Sequence, residues 1–145
     1  MSIGQNKAIA RRFIQAWNAG GADILDELAA PDIIVLYAHF PEAVRGIDSF
    51  KQILSQTFTY FPDLQIMAEE PIAEGTHVVM RWNYRGTHQQ GDLFGVKPSG
   101  TPVHGSGVTV YCISAGKVVE ERGVADTFGL MVQLGAAPAP KRGAG

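Results

Sequence analysis

The chain has one cysteine, Cys112, in 145 residues, so no intrachain disulfide can brace it, and that usage fits a reducing compartment. It has no apolar run near the roughly 18 residues that a membrane-spanning helix needs. Its first residues, Met1-Ser2-Ile3-Gly4-Gln5-Asn6-Lys7, lack the apolar stretch of a secretory leader. A cytoplasmic protein with no membrane partner is the expectation. Charge of either sign is scarce: 12 Lys and Arg against 14 Asp and Glu leave a net −2, too little field to attract nucleic acid or anionic lipid. The four histidines, His39, His77, His88 and His104, show no His-Glu-x-x-His spacing, so no metal site is expected. The stretch from Gly91 to Gly100 lacks the Gly-Lys-Ser/Thr end of a phosphate-binding loop. What remains is an ordinary globular mixture, 46% hydrophobic and 18% charged. Its length suits one domain that buries about two-thirds of its unfolded surface.

Three helical patterns come first. Ile9, Phe13, Ile14 and Trp17 share one face at helical spacing, and Gly20-Gly21 supplies a stop. Asp23 is placed to cap a second helix with the stripe Ile24, Leu25 and Leu28, closed by Pro31. Asp48 is placed to cap a third, in which Phe50, Ile53, Leu54, Thr57 and Phe58 recur at i, i+3, i+4, i+7 and i+8. Pro62 ends it by pushing Phe61 out of helical geometry.

A short strand, Ile33 to Tyr37, lies between the second and third helices. After Pro62 the period becomes two. Leu64 to Glu69 reads as a strand, with a turn at Glu74-Gly75. In His77 to Thr87, Val78, Met80, Trp82 and Tyr84 face one side, with Val79, Arg81, Asn83 and Arg85 opposite. Residues 88–102 form a long loop. Val103 to Ile113 and Lys117 to Thr127 are two further strands, joined at Ser114-Ala115-Gly116, where Ala115 is a poor residue if positive φ is needed. A single domain is expected over 1–135, with a mobile tail over 136–145. Helices followed by long antiparallel strands predict an α+β fold with three N-terminal helices on one curved sheet. The concave, apolar space between the layers is the default ligand site.

From Phe61 onward the chain resembles the SnoaL-like polyketide cyclases, also called predicted ester cyclases. The resemblance is carried by Phe61-Pro62-Asp63-Leu64, Ala73-Glu74-Gly75-Thr76-His77-Val78-Val79, Arg81-Trp82 and Gly86-Thr87-His88. It continues in Gly91-Asp92-Leu93-Phe94-Gly95, Pro98-Ser99-Gly100 and Gly116-Lys117-Val118-Val119-Glu120-Glu121. It ends on Asp126-Thr127-Phe128-Gly129-Leu130 with Gln133-Leu134-Gly135 behind it. Each piece is common; their order and spacing are specific. The resemblance implies a cone-shaped fold of the nuclear transport factor 2-like superfamily and a homodimer or higher homo-oligomer. It also implies an apolar pocket that needs no cofactor. In that family an aspartate on the last strand is the acid/base for an intramolecular aldol ring closure, and Asp126 matches it. The chain departs from the common pattern at Arg122, where a tryptophan is usual, and at Cys112, where an arginine is usual.

Such chemistry removes a proton from carbon beside a carbonyl and returns one to the developing alkoxide. A carboxyl group in an apolar setting has its pKa raised toward working pH, and Asp126 lies between Val124-Ala125 and Phe128. The competing reading is an aspartate that caps or pairs at the surface. Unbroken strand parity puts Glu120, Arg122, Val124 and Asp126 on one face. Arg122 and Asp126 are then about 13 Å apart at ~3.3 Å per residue, too far to pair along the strand. His39, His88 and His104 are candidates to assist Asp126, each with the alternative of a partly exposed polar residue. The His39 loop is expected to fold over the cavity mouth. Trp17, Tyr37, Phe58, Trp82, Tyr84 and Phe94 offer flat surface for a planar or polycyclic ligand, although such aromatics also serve as core. Trp82 and Tyr84 are expected to divide, one to the pocket and one beneath a helix. Asn18 and Tyr37 are candidates to hydrogen-bond a substrate carbonyl. The expected partner is a small apolar carbonyl or polycyclic compound. A hydratase, isomerase or epoxide hydrolase on the same fold, or a dimer that only holds a ligand, are the alternatives.

Overall fold

The computed structural model of the chain describes residues 2–18 and 21–141. Helix α1 spans Ile3–Phe13 and opens on a reciprocal cap: Ser2 Oγ accepts from the Gln5 amide while Gln5 Oε1 accepts from the Ser2 amide. Ile9, Ala10 and Phe13 are its buried stripe, and the chain then tightens into a 3-10 turn over Ile14–Trp17. Gly20, half of the expected Gly20-Gly21 stop, lies outside the described residues.

Helix α2 is short, Ile24–Leu28, and Asp23 precedes it without a side-chain capping bond, contrary to expectation. Strand β1 then runs Ala29–Tyr37, longer than the Ile33-to-Tyr37 reading. Pro31 falls in an irregular stretch of the β1 pairing rather than ending an element. After a two-residue strand β2, Val44–Arg45, helix α3 spans Ile47–Tyr60. Its cap position is Gly46 at φ 89, and Asp48 sits within the first turn. The backbone reverses there through a left-handed conformation that only glycine adopts cheaply.

The remaining strands are β3 Gln65–Ala68, β4 Ile72–Glu74, β5 His77–His88, β6 Thr101–Ser114 and β7 Lys117–Ala125. The sheet order is β2-β1-β7-β6-β5-β3, with β4 also on β5. All pairings are antiparallel except β1 with β7, which run parallel, so the sheet is mixed rather than purely antiparallel. The β6–β7 hairpin turns through Ala115 at φ 51 and Gly116 at φ 77, so the unfavourable alanine is accommodated at positive φ.

A fourth helix, α4 Thr127–Leu134, was not expected: the last strand stops at Ala125, two residues early. Asp126 caps α4, and Gly135 closes it in the left-handed region at φ 81. Gln133 pins α4 to β6 by accepting from the His104 amide and donating to the His104 carbonyl, at 2.9 and 2.7 Å. Of the expected tail, residues 142–145 lie outside the described residues.

The main core lies between the helices and the inner face of the sheet. Phe13 stacks on Phe50 at 6.1 Å and meets the Tyr111 ring edge-on at 5.4 Å. Leu25, Ile33, Leu54 and Met80 fill around them, fully buried. A smaller cluster of Phe61, Leu64, Val103 and Leu134 seats α4. No described helix is long and apolar enough to cross a membrane.

Candidate active site

The inner face of the sheet is read directly from its register. Across the sheet, Val35 faces Glu121, Glu121 faces Tyr111 and Tyr111 faces Val78. The next inner row is Tyr37, Gly123, Thr109 and Met80. Beyond it Ala125 pairs with Gly107 and Gly107 with Trp82, and then Gly105 pairs with Tyr84. Three aromatic rings thus each lie opposite a glycine. An added Cβ would come within 2.3 Å of the Trp82 ring at Gly107, 2.6 Å of the Tyr84 ring at Gly105 and 3.0 Å of the Tyr37 ring at Gly123. These glycines let the rings lie down on the sheet and leave open space above them. The expected division of Trp82 and Tyr84 therefore does not occur: both line the pocket, as their shared parity requires.

That space is a pocket of about 320 Å³, a size suited to a small ligand. Its wall is mostly apolar and aromatic, from Ile14, Trp17, Ile53, Tyr60, Phe61, Leu64, Ile66, Leu93 and Leu130. Of the sequence candidates, Asp126, His39, Trp17, Tyr37, Trp82, Tyr84 and Phe94 all line it. His39 stacks on Tyr37 at 5.8 Å in the turn after β1, and partial burial lowers its pKa, favouring neutral imidazole. Phe94, at φ 51, reaches the pocket from the loop after β5 and stays half exposed.

Three polar candidates lie elsewhere. His88 is fully buried between Tyr60 and Phe61, its Nε2 bonded to the Gly91 carbonyl at 2.6 Å, where it anchors the base of the long loop. His104 points from the outer face because even positions of β6 do so; only its backbone is used, by Gln133. Asn18 ties the 3-10 turn to β3: its Oδ1 accepts from the Ile66 amide at 2.8 Å and its Nδ2 donates to Gln15. None of the three lines the pocket.

Two carboxyl groups do. Asp126 sits where β7 gives way to α4, its Oδ1 accepting from the Gly129 amide at 2.9 Å. It is exposed, so the burial expected of it is absent. It lies near Tyr84, whose hydroxyl is pushed up to about 12 by burial and then by the Asp126 charge. The buried carboxyl is instead Glu121, 1% exposed, whose Oε2 accepts from the Tyr37 hydroxyl at 3.2 Å. Burial pushes Glu121 up to about 8, against the opposing effect of the Tyr37 hydrogen bond. Tyr37 and Tyr111 are both held well above their ordinary range, by burial first and by Glu121 second. The Tyr111 hydroxyl is buried beside Thr109 and makes no hydrogen bond of ordinary geometry among the described residues.

Sequence reading missed Glu121 because unbroken parity counted back from Asp126 does not apply: β7 ends at Ala125, and Asp126 belongs to the cap of α4 rather than to the strand. The β6–β7 register shifts between Cys112 and Ile113, so Val119 is bulged out and the facing pattern flips. Val118 faces in, and beyond the bulge Glu121 and Gly123 do so too. Glu120, Arg122 and Val124 face out, and the exposed Arg122 bonds Glu120 at 3.2 Å. Counting back from Asp126 in steps of two put the outer residues on the pocket side.

A family model for SnoaL-like polyketide cyclases matches residues 7–134. The chain belongs to this family. Among solved structures it is similar to AclR, a candidate hydroxylase from Streptomyces galilaeus, at 29% identity and a TM-score of 0.84, covering 97% of this chain and 87% of that one. It is similar to a candidate SnoaL-like polyketide cyclase from Jannaschia sp. CCS1 at 28% identity and a TM-score of 0.83, over 95% and 97% of the two chains. IdmH, a candidate polyketide cyclase from Streptomyces antibioticus, is similar at 25% identity and a TM-score of 0.78, over 90% and 99%. No curated protein matches significantly. The α+β architecture is therefore the nuclear transport factor 2-like one, and membership places this SnoaL-like chain with enzymes of the cyclase or isomerase type. Among its described residues no group of three or more His, Cys, Asp or Glu is arranged to hold a metal ion.

Proposed function

We propose that this SnoaL-like protein is a cofactor-independent acid/base enzyme that closes a ring in an apolar carbonyl compound, with Asp126 moving the proton. The observation that supports it most is the seat of that carboxylate: on the rim of an apolar pocket, oriented by the Gly129 amide, with Tyr84 nearby. Asp126 takes a proton from carbon beside one carbonyl. The carbanion attacks a second carbonyl of the same molecule, forming a C–C bond, and the alkoxide oxygen regains the proton. Product and substrate are isomers, so no co-reactant is consumed. Tyr84, kept protonated by its raised pKa, and neutral His39 are the groups placed to polarise an oxygen there.

Asp126→Asn should lower turnover of aromatic polyketide esters or simple cyclic ketones by roughly 10²–10⁴-fold, the usual contribution of a positioned base. Full activity in that variant overturns the assignment. The exposure of Asp126 supports a second reading, in which the same carboxylate activates water in a hydratase or isomerase of this fold. Solvent ¹⁸O appearing in product selects water addition, and its absence leaves ring closure or isomerisation, which the product's carbon skeleton separates. An Asp–Arg–Asp epoxide-opening arrangement has no support among the described residues, since Arg122 lies on the outer face and none of their arginines lines the pocket. A ligand recovered unchanged under all conditions would reduce the protein to a binding module.

A further inference from the structure

Glu121 and Tyr111 are buried polar groups that the ring-closing step leaves without a role. Burying a carboxyl group costs several kcal/mol unless it is neutral and hydrogen-bonded, and a buried hydroxyl without a partner forfeits a further hydrogen bond. The two residues face each other across β6 and β7 and both line the pocket. Tyr37 already donates to Glu121 Oε2, so the proton of the neutral acid belongs on Oε1. The Tyr111 hydroxyl, beside Thr109 but with no hydrogen bond of ordinary geometry among the described residues, is a second donor. Among the described residues no lysine or arginine lines the pocket to receive an anion.

We propose that the inner part of the pocket is an oxygen-recognition subsite, in which neutral Glu121 and the Tyr111 hydroxyl donate hydrogen bonds to one carbonyl oxygen of the ligand. Glu121 and Ala125 are four residues apart on β7, about 13 Å at ~3.3 Å per residue, and Asp126 lies beyond. The recognised oxygen is therefore remote from the carbon that Asp126 addresses, and the two residues select the ligand rather than transfer its proton. The subsite takes a neutral carbonyl compound and rejects one whose inner end is a carboxylate. The titratable groups facing Glu121 are Tyr37 from β1 and Tyr111 from β6, with His39, Tyr60, Tyr84 and Asp126 also on the pocket wall. Of these, Glu121 changes charge near pH 8, so the subsite loses a donor and gains a negative charge above that pH.

The proposal rests on this pocket being the substrate pocket of the preceding reading, but it is tested by equilibrium binding and needs no turnover. 1-Tetralone and tetralin differ by one carbonyl oxygen, and calorimetry on the full chain compares them. At pH 6.5 the ketone should bind roughly tenfold more tightly, as expected of one or two net hydrogen bonds. Its bound C=O stretch should fall below the value in hydrocarbon solvent. Tyr111→Phe should cut the preference by severalfold and relax the C=O shift. Glu121→Gln, which keeps an N–H donor, should retain the preference and lose its decline between pH 7 and 9. Equal affinities in the unaltered protein, no binding of either probe, or a preference unmoved by Tyr111→Phe would each overturn the subsite. A protein that discriminates the probes but turns nothing over keeps the subsite and loses the enzyme reading.

Discussion

The pocket holds two carboxyl groups in opposite environments, and the contrast separates two kinds of work. Asp126 stands at a strand-to-helix junction, exposed, with the Gly129 amide fixing one oxygen. Glu121 stands one strand-length inward, enclosed by Val35, Tyr37 and Tyr111, with one neutral hydrogen bond and no cation. Desolvation favours the protonated acid at Glu121, and no comparable enclosure surrounds Asp126. A site with one of each holds a proton acceptor and a proton-bearing donor at the same pH. Their separation along β7 gives the acceptor to the reacting carbon and the donor to a distant oxygen.

The strongest way to break this contrast is to titrate the folded protein. Glu121 binds its proton more tightly when folded than when unfolded, where its pKa returns to about 4.5. The stability it contributes is fully present below that value, declines as pH rises, and is gone above about 8. The window amounts to roughly 4–5 kcal/mol at about 1.36 kcal/mol per pKa unit. Denaturant unfolding from pH 4.5 to 9 should show that slope, and Glu121→Gln should flatten it. An unaltered slope in Glu121→Gln would mean that the carboxyl is not held neutral by burial, and the comparison with Asp126 would collapse.

Much of the fold was legible because it is written in periodicity. The stripes Ile9-Phe13 and Phe50-Leu54 and the alternation Val78-Met80-Trp82-Tyr84 each land on the buried side. The site was legible only in part. Asp126, His39 and five aromatics reach the pocket, but His88, His104 and Asn18 serve the loop, the outer face and the β3 contact instead. Nothing local distinguishes those roles, because a histidine at a strand end looks the same on either face. Neither the end of β7 at Ala125 nor the bulge at Val119 leaves a mark in the sequence, so Glu121 could not be told from Glu120. Helix α4 was hidden for a related reason: Val124 and Ala125 continue the strand pattern until Asp126 interrupts it as a cap. One signal was readable in retrospect. Gly105 and Gly107 alternate within a long strand, which marks a face where something large lies against the backbone.

Those glycines offer the next sharpening. Alanine at Gly107 would meet the Trp82 ring at 2.3 Å and the Val124 carbonyl at 2.6 Å, and would strain the Trp82 Nε1 to Thr109 Oγ1 bond of 2.9 Å. Gly105→Ala would displace only Tyr84, and Gly123→Ala would press on Tyr37 from 3.0 Å. Losses of about 1–3 kcal/mol are expected from such overpacking, in the order Gly107, Gly105, Gly123. Their functional effects should diverge. Gly105→Ala moves the ring beside Asp126 and should lower turnover. Gly123→Ala weakens the Tyr37 hydrogen bond that holds Glu121 down, so the pH midpoint of the stability curve should rise above about 8. Identical midpoints in both variants would show that Tyr37 and Tyr84 do not serve separate carboxyls.

The smallest expected effect isolates what Asp126 contributes to structure. As the cap of α4 it satisfies the Gly129 amide, and asparagine caps as well as aspartate. Asp126→Asn should therefore change stability by only a few tenths of a kcal/mol, whereas Asp126→Ala should cost about 1 kcal/mol. Gly129→Ala should cost a similar amount by another route, since its Cβ would come within 2.2 Å of Asp126 Oδ2 and push the carboxylate off the helix end. If turnover falls equally in the asparagine and alanine variants while only alanine lowers the unfolding midpoint, charge and cap are separable, and the acid/base role belongs to the charge. If turnover instead follows the unfolding midpoint across all three variants, Asp126 is a structural cap, and Glu121 is left as the only carboxyl in the pocket with chemistry to offer.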